Sequence, residues 1–153
     1  MIEITLTQGK VALIDDADAN LVLDYKWCAH FHRGRWYARS GASPTVYMHR
    51  LIMAAVPGLV VDHINGDGLD NRRSNLRTVT HKQNMRGQRP RSDSATGIKG
   101  VRRRKSGRFY AYICVRGVYQ HLGAYPTIED AGKAYDRAAQ LHYGEFARLN
   151  YPE

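Results

Sequence analysis

Cysteine is nearly absent. Cys28 and Cys114 are the only two, and neither belongs to a Cys-x-x-Cys pair. A disulfide framework and a cysteine-based zinc site are therefore set aside, and a reducing cytoplasm fits the composition. Long apolar runs are also missing: no stretch approaches the ~18 apolar residues of a membrane span, and the N-terminal MIEITLTQGK lacks the apolar segment of a secretory signal. The expectation is a soluble, unexported chain without a membrane partner. Acidic residues are scarce in one place above all. Between Arg86 and Arg108, nine Lys or Arg face only Asp93, so this segment supplies +8 of a formal net charge of +9. Residues 1 to 85 hold ten basic residues against eight acidic ones, and residues 109 to 153 four against five. A stripe of this kind points to a polyanion. An anionic membrane would also be attracted, but the aromatic residues interleaved downstream favour nucleic acid.

At 153 residues the chain can bury one modest core or two thin ones, and the pattern reads as two modules of an α+β protein. Alternation predicts strands over Ile2 to Thr7, Lys10 to Ile14, Tyr25 to Phe31, Arg35 to Arg39 and Val46 to Met48, broken by turn residues. A short helix is predicted over His49 to Ala55, ended by Pro57-Gly58. The first module is placed at residues 1 to 88, a linker rich in Arg, Ser, Gly and Pro at 89 to 98, and the second module at 99 to 153. In the second, three strands precede a helix that starts at Thr127 with capping-box spacing and stops at Gly144. Phe109, Ala111, Ile113 and Val115 form the expected core face of one strand, with Tyr110, Tyr112, Cys114 and Arg116 turned outward.

The stretch VDHINGDGLDNRRSNLRTVTHKQN, Val61 to Asn84, crowds polar residues where none would fill a core. It reads as a strand ending in Asp62-His63, a loop built on Asn65-Gly66 and Asp67-Gly68, a second strand over Leu76 to Thr80, and a helix. Asp62 and Asn84 would offer a carboxylate and an amide oxygen, a hard-oxygen pair suited to one divalent ion, Mg²⁺ or Mn²⁺. His63, with an unperturbed pKa of ~6.5, is the candidate general base for hydrolysis of a phosphodiester. His49 is a rival for the base and His81 for Asn84. Arg72, Arg73 and Arg77 are candidates for gripping phosphates. Cys28, His30 and His32 share one strand face and could bind zinc only with a fourth ligand that is not evident. They read instead as an exposed polar face, with Trp27, Ala29 and Phe31 inward.

The pattern His49-Arg50, Asp62-His63-Ile64-Asn65-Gly66-Asp67, Leu69-Asp70-Asn71-Arg72, Ser74-Asn75-Leu76-Arg77 and Asn84 resembles the HNH endonucleases of phages and mobile elements. That resemblance implies a ββα-metal fold within about residues 58 to 88, with Asp62 and Asn84 as metal ligands, His63 as base and Asn75 tying down the loop. It also implies a bacterial or phage-infected cytoplasm. Gly100-Val101-Arg102, Gly107-Arg108, Leu122-Gly123, Thr127, Ala134-Tyr135-Asp136, Ala138-Ala139 and Leu149-Asn150 resemble the AP2 domain of plant transcription factors and homing endonucleases. Its sheet face lies in the major groove of double-stranded DNA, and the matching positions are Lys99, Arg102, Arg104, Arg108, Tyr112, Tyr119 and His121. Ser106 and His121 stand where plant members have tryptophans. The whole is similar to a free-standing homing endonuclease, with a monomer favoured. The rival readings are a regulator whose HNH-like module no longer cuts, and an RNA-directed protein.

Overall fold

The computed structural model describes residues 1–90 and 94–152; Arg91 and Asp93 of the basic stripe lie outside them. The chain divides into two compact units, Met1–His81 and Lys82–Glu153.

In the first unit, β1 (Ile2–Thr5) and β2 (Val11–Ile14) form an antiparallel hairpin. A short helix, α1 (Ala19–Val22), follows, then a second hairpin of β3 (Trp27–His32) and β4 (Arg35–Ser40). Helix α2 (Met48–Ile52) leads to β5 (Val60–His63), which pairs antiparallel with β6 (Leu76–Val79). Alternation explains the burial: Ile4, Leu6, Ala12 and Ile14 join Trp27, Ala29, Ala38, Val61 and Leu76 in one core with Val22, Met48 and Ile52 from the helices.

Two expectations change here, and one element, α1, adds to them. Residues Val46 to Met48 form no strand; Tyr47 makes a single bridge to Arg39, and Met48, fully buried, already starts α2. The Ser40 hydroxyl accepts from Val46 N at 3.1 Å, and Ser40 N donates to Val46 O at 2.8 Å, which fixes that return. Helix α1 carries little periodic signal because it is one turn long; it is held by buried Val22, whose carbonyl accepts from the Trp27 indole at 2.8 Å. Phe31, read as inward, is 57 % exposed and leans on Trp36, 5.0 Å between ring centroids, because the hairpin runs past the edge of its core.

In the second unit, helix α3 (His81–Gly87, all but its first residue) precedes the antiparallel sheet β7 (Val101–Arg103), β8 (Phe109–Val115) and β9 (Val118–Tyr125), in that order. Helix α4 (Ile128–Tyr143) lies on it through Ala131, Ala134, Tyr135 and Ala139. Thr127 caps it, accepting from Asp130 N at 3.1 Å. Gly100 is obligatory: at φ +72° its Cβ would fall within 2.7 Å of both the Tyr135 ring and the Tyr112 carbonyl. Buried Asp136 accepts from the backbone N–H of Asn150 and Tyr151, and Asn150 in turn bonds both backbone groups of Lys99.

The division between units falls at the start of α3, ahead of the linker that composition proposes. The reason is local. The Lys99 ammonium donates to the carbonyls of Arg86 and Gln88, and the Arg86 guanidinium stacks on Tyr143, 4.7 Å from its ring centre. A cation at the open carbonyls of a helix C-terminus is favourable, and it ties α3 to the second unit.

Candidate active site on the hairpin of the first unit

The loop from Ile64 to Asn75 satisfies its own backbone. Asn65 Oδ1 accepts from Asp67 N at 2.8 Å, and Asp67 Oδ1 from Leu69 N at 3.0 Å, two successive Asx turns. Asn75 is buried at the loop's base. Its Oδ1 accepts from Asn65 N, and its Nδ2 donates to Asn65 Oδ1 and to the Asp70 carbonyl. The loop is also stitched to β2, Leu13 N donating to Leu69 O and Asn71 N to Leu13 O, both at 2.8 Å. Gly68 allows β4 beneath it: a Cβ there would stand 2.3 Å from the Trp36 carbonyl.

This frame holds His63 at the end of β5, 6 % exposed. Its Nε2 lies 3.3 Å from Asn71 Oδ1. Asn71 is fully buried, and its amide orientation is set because Nδ2 donates to the Leu69 carbonyl at 3.0 Å. An amide oxygen only accepts, so Nε2 carries the proton and Nδ1 keeps the lone pair. The His49 ring stands edge-on to His63 with centroids 5.0 Å apart, and Tyr37 lies 6.0 Å from His63 and 5.9 Å from His49. Burial lowers the pKa of His63, an effect that Asn71 and the nearby carboxylates oppose. Burial, with His63 and Arg50 nearby, takes His49 down to about 3. Both rings are neutral at neutral pH.

Asp62 faces Arg77 across the ladder, and Arg77 donates to its Oδ2 from Nη2 at 2.9 Å and Nε at 3.2 Å. Among the described residues no three His, Cys, Asp or Glu side chains cluster as a metal cage.

The HNH endonuclease family model matches residues 46–86, which span α2, the hairpin and its loop. The chain carries an HNH endonuclease domain. An uncharacterized HNH endonuclease of Acanthamoeba polyphaga mimivirus is 30% identical over 128 residues, 76% of this chain and 66% of that protein. Dehydration-responsive element-binding protein 2A of Arabidopsis thaliana is 41% identical over 70 residues, 44% of this chain and 21% of that protein. Ethylene-responsive transcription factor ERN2 of Medicago truncatula is 37% identical over 69 residues, 44% of this chain and 22% of that protein. The chain thus spans just under two thirds of the viral relative and about a fifth of these plant relatives. The AP2-type similarity falls on its C-terminal part.

Around the HNH domain, the three arginines singled out from sequence are committed to carboxylates of the fold. Arg72 forks onto Asp70 with two contacts of 2.7 Å, Arg73 binds buried Asp18 and the Ile52 carbonyl, and Arg77 binds Asp62. Arg73 is a brace, since Asp15 also accepts from its backbone N–H at 2.8 Å. These guanidiniums, candidates from sequence for gripping phosphates, are thus each paired with a carboxylate of the fold. Asn71 escaped sequence reasoning because one more Asn in a turn-rich loop has an ordinary local explanation. Its immediate neighbourhood in the LDNRR run was the available signal.

On the second unit, Arg102 stacks over Tyr112 at 4.6 Å and Arg104 over Tyr110 at 5.1 Å, with Tyr119 beside Tyr112 and His121 beside Tyr110. Arg108 is exposed, with its Nη2 3.3 Å from the Ala124 carbonyl. Lys99, one of the matching positions, turns its ammonium onto the carbonyls of Arg86 and Gln88, and burial lowers its pKa to about 8. Asn84 lies on α3.

Proposed function

We infer that the chain is a metal-dependent DNA endonuclease of the homing type, its AP2-like unit holding the duplex and its HNH domain hydrolysing a phosphodiester bond. The observation that carries this reading is the His63–Asn71 pair, which presents Nδ1 of a neutral imidazole as a proton acceptor at the end of a rigid strand. In this reading His63 Nδ1 takes a proton from water as the water oxygen bonds to phosphorus, while the bond from phosphorus to the leaving sugar oxygen breaks and that oxygen takes up a proton from solvent. Asn71 keeps the ring in the reactive tautomer, as an oriented acceptor does for a catalytic histidine. Burial among Tyr37 and His49 favours the neutral form of His63.

Asp62 and Asn84 are the residues we assign to a divalent ion. A carboxylate and an amide oxygen, with water and phosphate oxygens completing the shell, fit Mg²⁺ or Mn²⁺ better than a soft metal. Bound there, such an ion supplies charge stabilisation on the phosphate. Arg102, Arg104, Tyr112, Tyr119 and His121 form a face of guanidiniums spread on aromatic rings. It suits phosphate contacts with a few base contacts in double-stranded DNA.

The test is cleavage of supercoiled plasmid and of a broad DNA library by the full chain with Mg²⁺ or Mn²⁺, beside EDTA and His63→Ala. Metal-dependent cutting that the substitution abolishes, with DNA binding kept, is expected. Binding without cutting across the library would leave a DNA-binding regulator in its place.

A further inference from the structure

We propose that the outward face of the β3–β4 hairpin is a second DNA-backbone surface, which lays the strand to be cut across the first unit and into His63. It is distinct from the sheet of the second unit, and it deepens the nuclease reading, on which its purpose rests. The register pairs Cys28 with Arg39, His30 with Tyr37 and His32 with Arg35, so these six side chains share one face of a twisted two-stranded ribbon. Opposite them, Trp27, Ala29 and Ala38 are buried in the core. The six side chains of this face are not members of that core; His32 is exposed and the other five are half-buried.

The face runs directly into the site. Tyr37 is the ring beside both His63 and His49. Farther along the same strand, the Arg35 guanidinium lies over the loop just after His63, where a Cβ on Gly66 would stand 3.8 Å from its Nη2. A polymer lying along the hairpin would thus reach the imidazole without a break.

Charge selects the polymer. No Asp or Glu occurs between Asp24 and Asp62, while Lys26, Arg33, Arg35, Arg39 and Arg50 do. The near-neutral balance of residues 1 to 85 hides this, because the acids crowd the N-terminus and the HNH loop. There Asp18 and Asp70 are consumed by Arg73 and Arg72. Neither Arg35 nor Arg39 forms an ion pair with any described residue. Nε of Arg39 is buried with no hydrogen-bond partner among the described residues, a state that native proteins seldom tolerate without a use. Planar guanidiniums with uncommitted donors, spaced along a ribbon and flanked by His30 and His32, match the oxygens of successive phosphates.

The experiment places a photo-crosslinking benzoylphenylalanine at exposed position 32 of the full chain. The chain is irradiated on a labelled random-sequence duplex in EDTA, with the same group at exposed position 23 as control. Crosslinking from position 32 well above that from position 23, competed by unlabelled duplex and not by polyglutamate, is expected. In parallel, Arg35→Gln should lower kcat/KM for cleavage about 10- to 100-fold, the worth of a charge-assisted hydrogen bond, with Arg35→Lys partly restoring it. No crosslink from position 32, or one that polyglutamate removes as well as DNA does, overturns the proposal. Because the crosslink is read without metal, a chain that crosslinks but never cuts refutes the nuclease reading alone. One that cuts without crosslinking refutes this surface alone.

Discussion

Asn71 shows how one side chain can set the chemistry of another. It is fully buried, spends its amide N–H on the Leu69 carbonyl, and so has only an oxygen to offer His63. If that hydrogen bond fixes the tautomer, a charge placed there must move the titration of the base. Asn71→Asp puts a carboxylate beside the Nε2 proton, favours the imidazolium and raises the pKa of His63. The acid limb of kcat/KM, which burial of His63 sets below the ordinary histidine value in the native chain, is expected to move to higher pH in the variant. A limb that stays in place while the protein remains folded would sink the assigned tautomer. A purely structural role for Asn71 predicts loss of stability with no such shift.

At the scale of elements, α2 and β5 are coupled through two buried imidazoles, and that coupling has a pH signature. The folded-state pKa of His49 is about 3, against ~6.5 in the unfolded chain. The unfolded state therefore binds the proton first. The stability from neutral His49 is present in full above pH ~6.5 and is lost progressively as pH falls toward 3. At pH 5 the loss from His49 alone is about 2 kcal/mol, and His63, also lowered, adds in the same direction. Thermal unfolding of the native chain at pH 7.5 and pH 5 should show this drop, and His49→Phe, which keeps an aromatic ring in the cluster, should lose clearly less. Equal losses in both proteins would show that His49 is not the titrating group. These same elements mark where sequence was legible. The strands β1 to β6, strand β8 and helix α4 follow from period and capping, because each buries one face; β9, exposed over its first half and half-buried over its second, shows no such alternation. The one-turn helix α1 and the turning-in of Lys99 do not follow from period either, since both depend on contacts that local patterning cannot express. The polar face of β3–β4 was visible as alternation, but its role was not: averaging charge over the first 85 residues concealed an acid-free run. In the site, the spacing of Asp62, His63, Asn75 and Asn84 stood out in sequence. The commitments of Arg72, Arg73 and Arg77 to Asp70, Asp18 and Asp62 required coordinates.

Across the whole molecule the guanidiniums differ in their commitments: some are paired with carboxylates of the frame, some are stacked on an aromatic sheet, and Arg35 and Arg39 form no ion pair with any described residue. Arg73 and Arg77 belong to the first; Arg102 and Arg104, over Tyr112 and Tyr110, belong to the second. The stacked guanidiniums of the sheet are the ones expected to release counterions on binding of a duplex by the second unit. Every phosphate that the protein ceases to neutralise should flatten the dependence of log affinity on log salt by about 0.9. Arg102→Ala with Arg104→Ala is expected to weaken duplex binding and to reduce that slope by about 2, measured by fluorescence anisotropy on the full chain in EDTA. The sheet is proposed to hold DNA and not to touch the scissile bond. The single-turnover cleavage rate at saturating protein should therefore change less than twofold while the concentration needed for saturation rises. An unaltered salt slope would remove the sheet from the interface. A fallen single-turnover rate at saturation would mean that gripping and cutting are coupled, because a simple tether alters only how often the site is occupied.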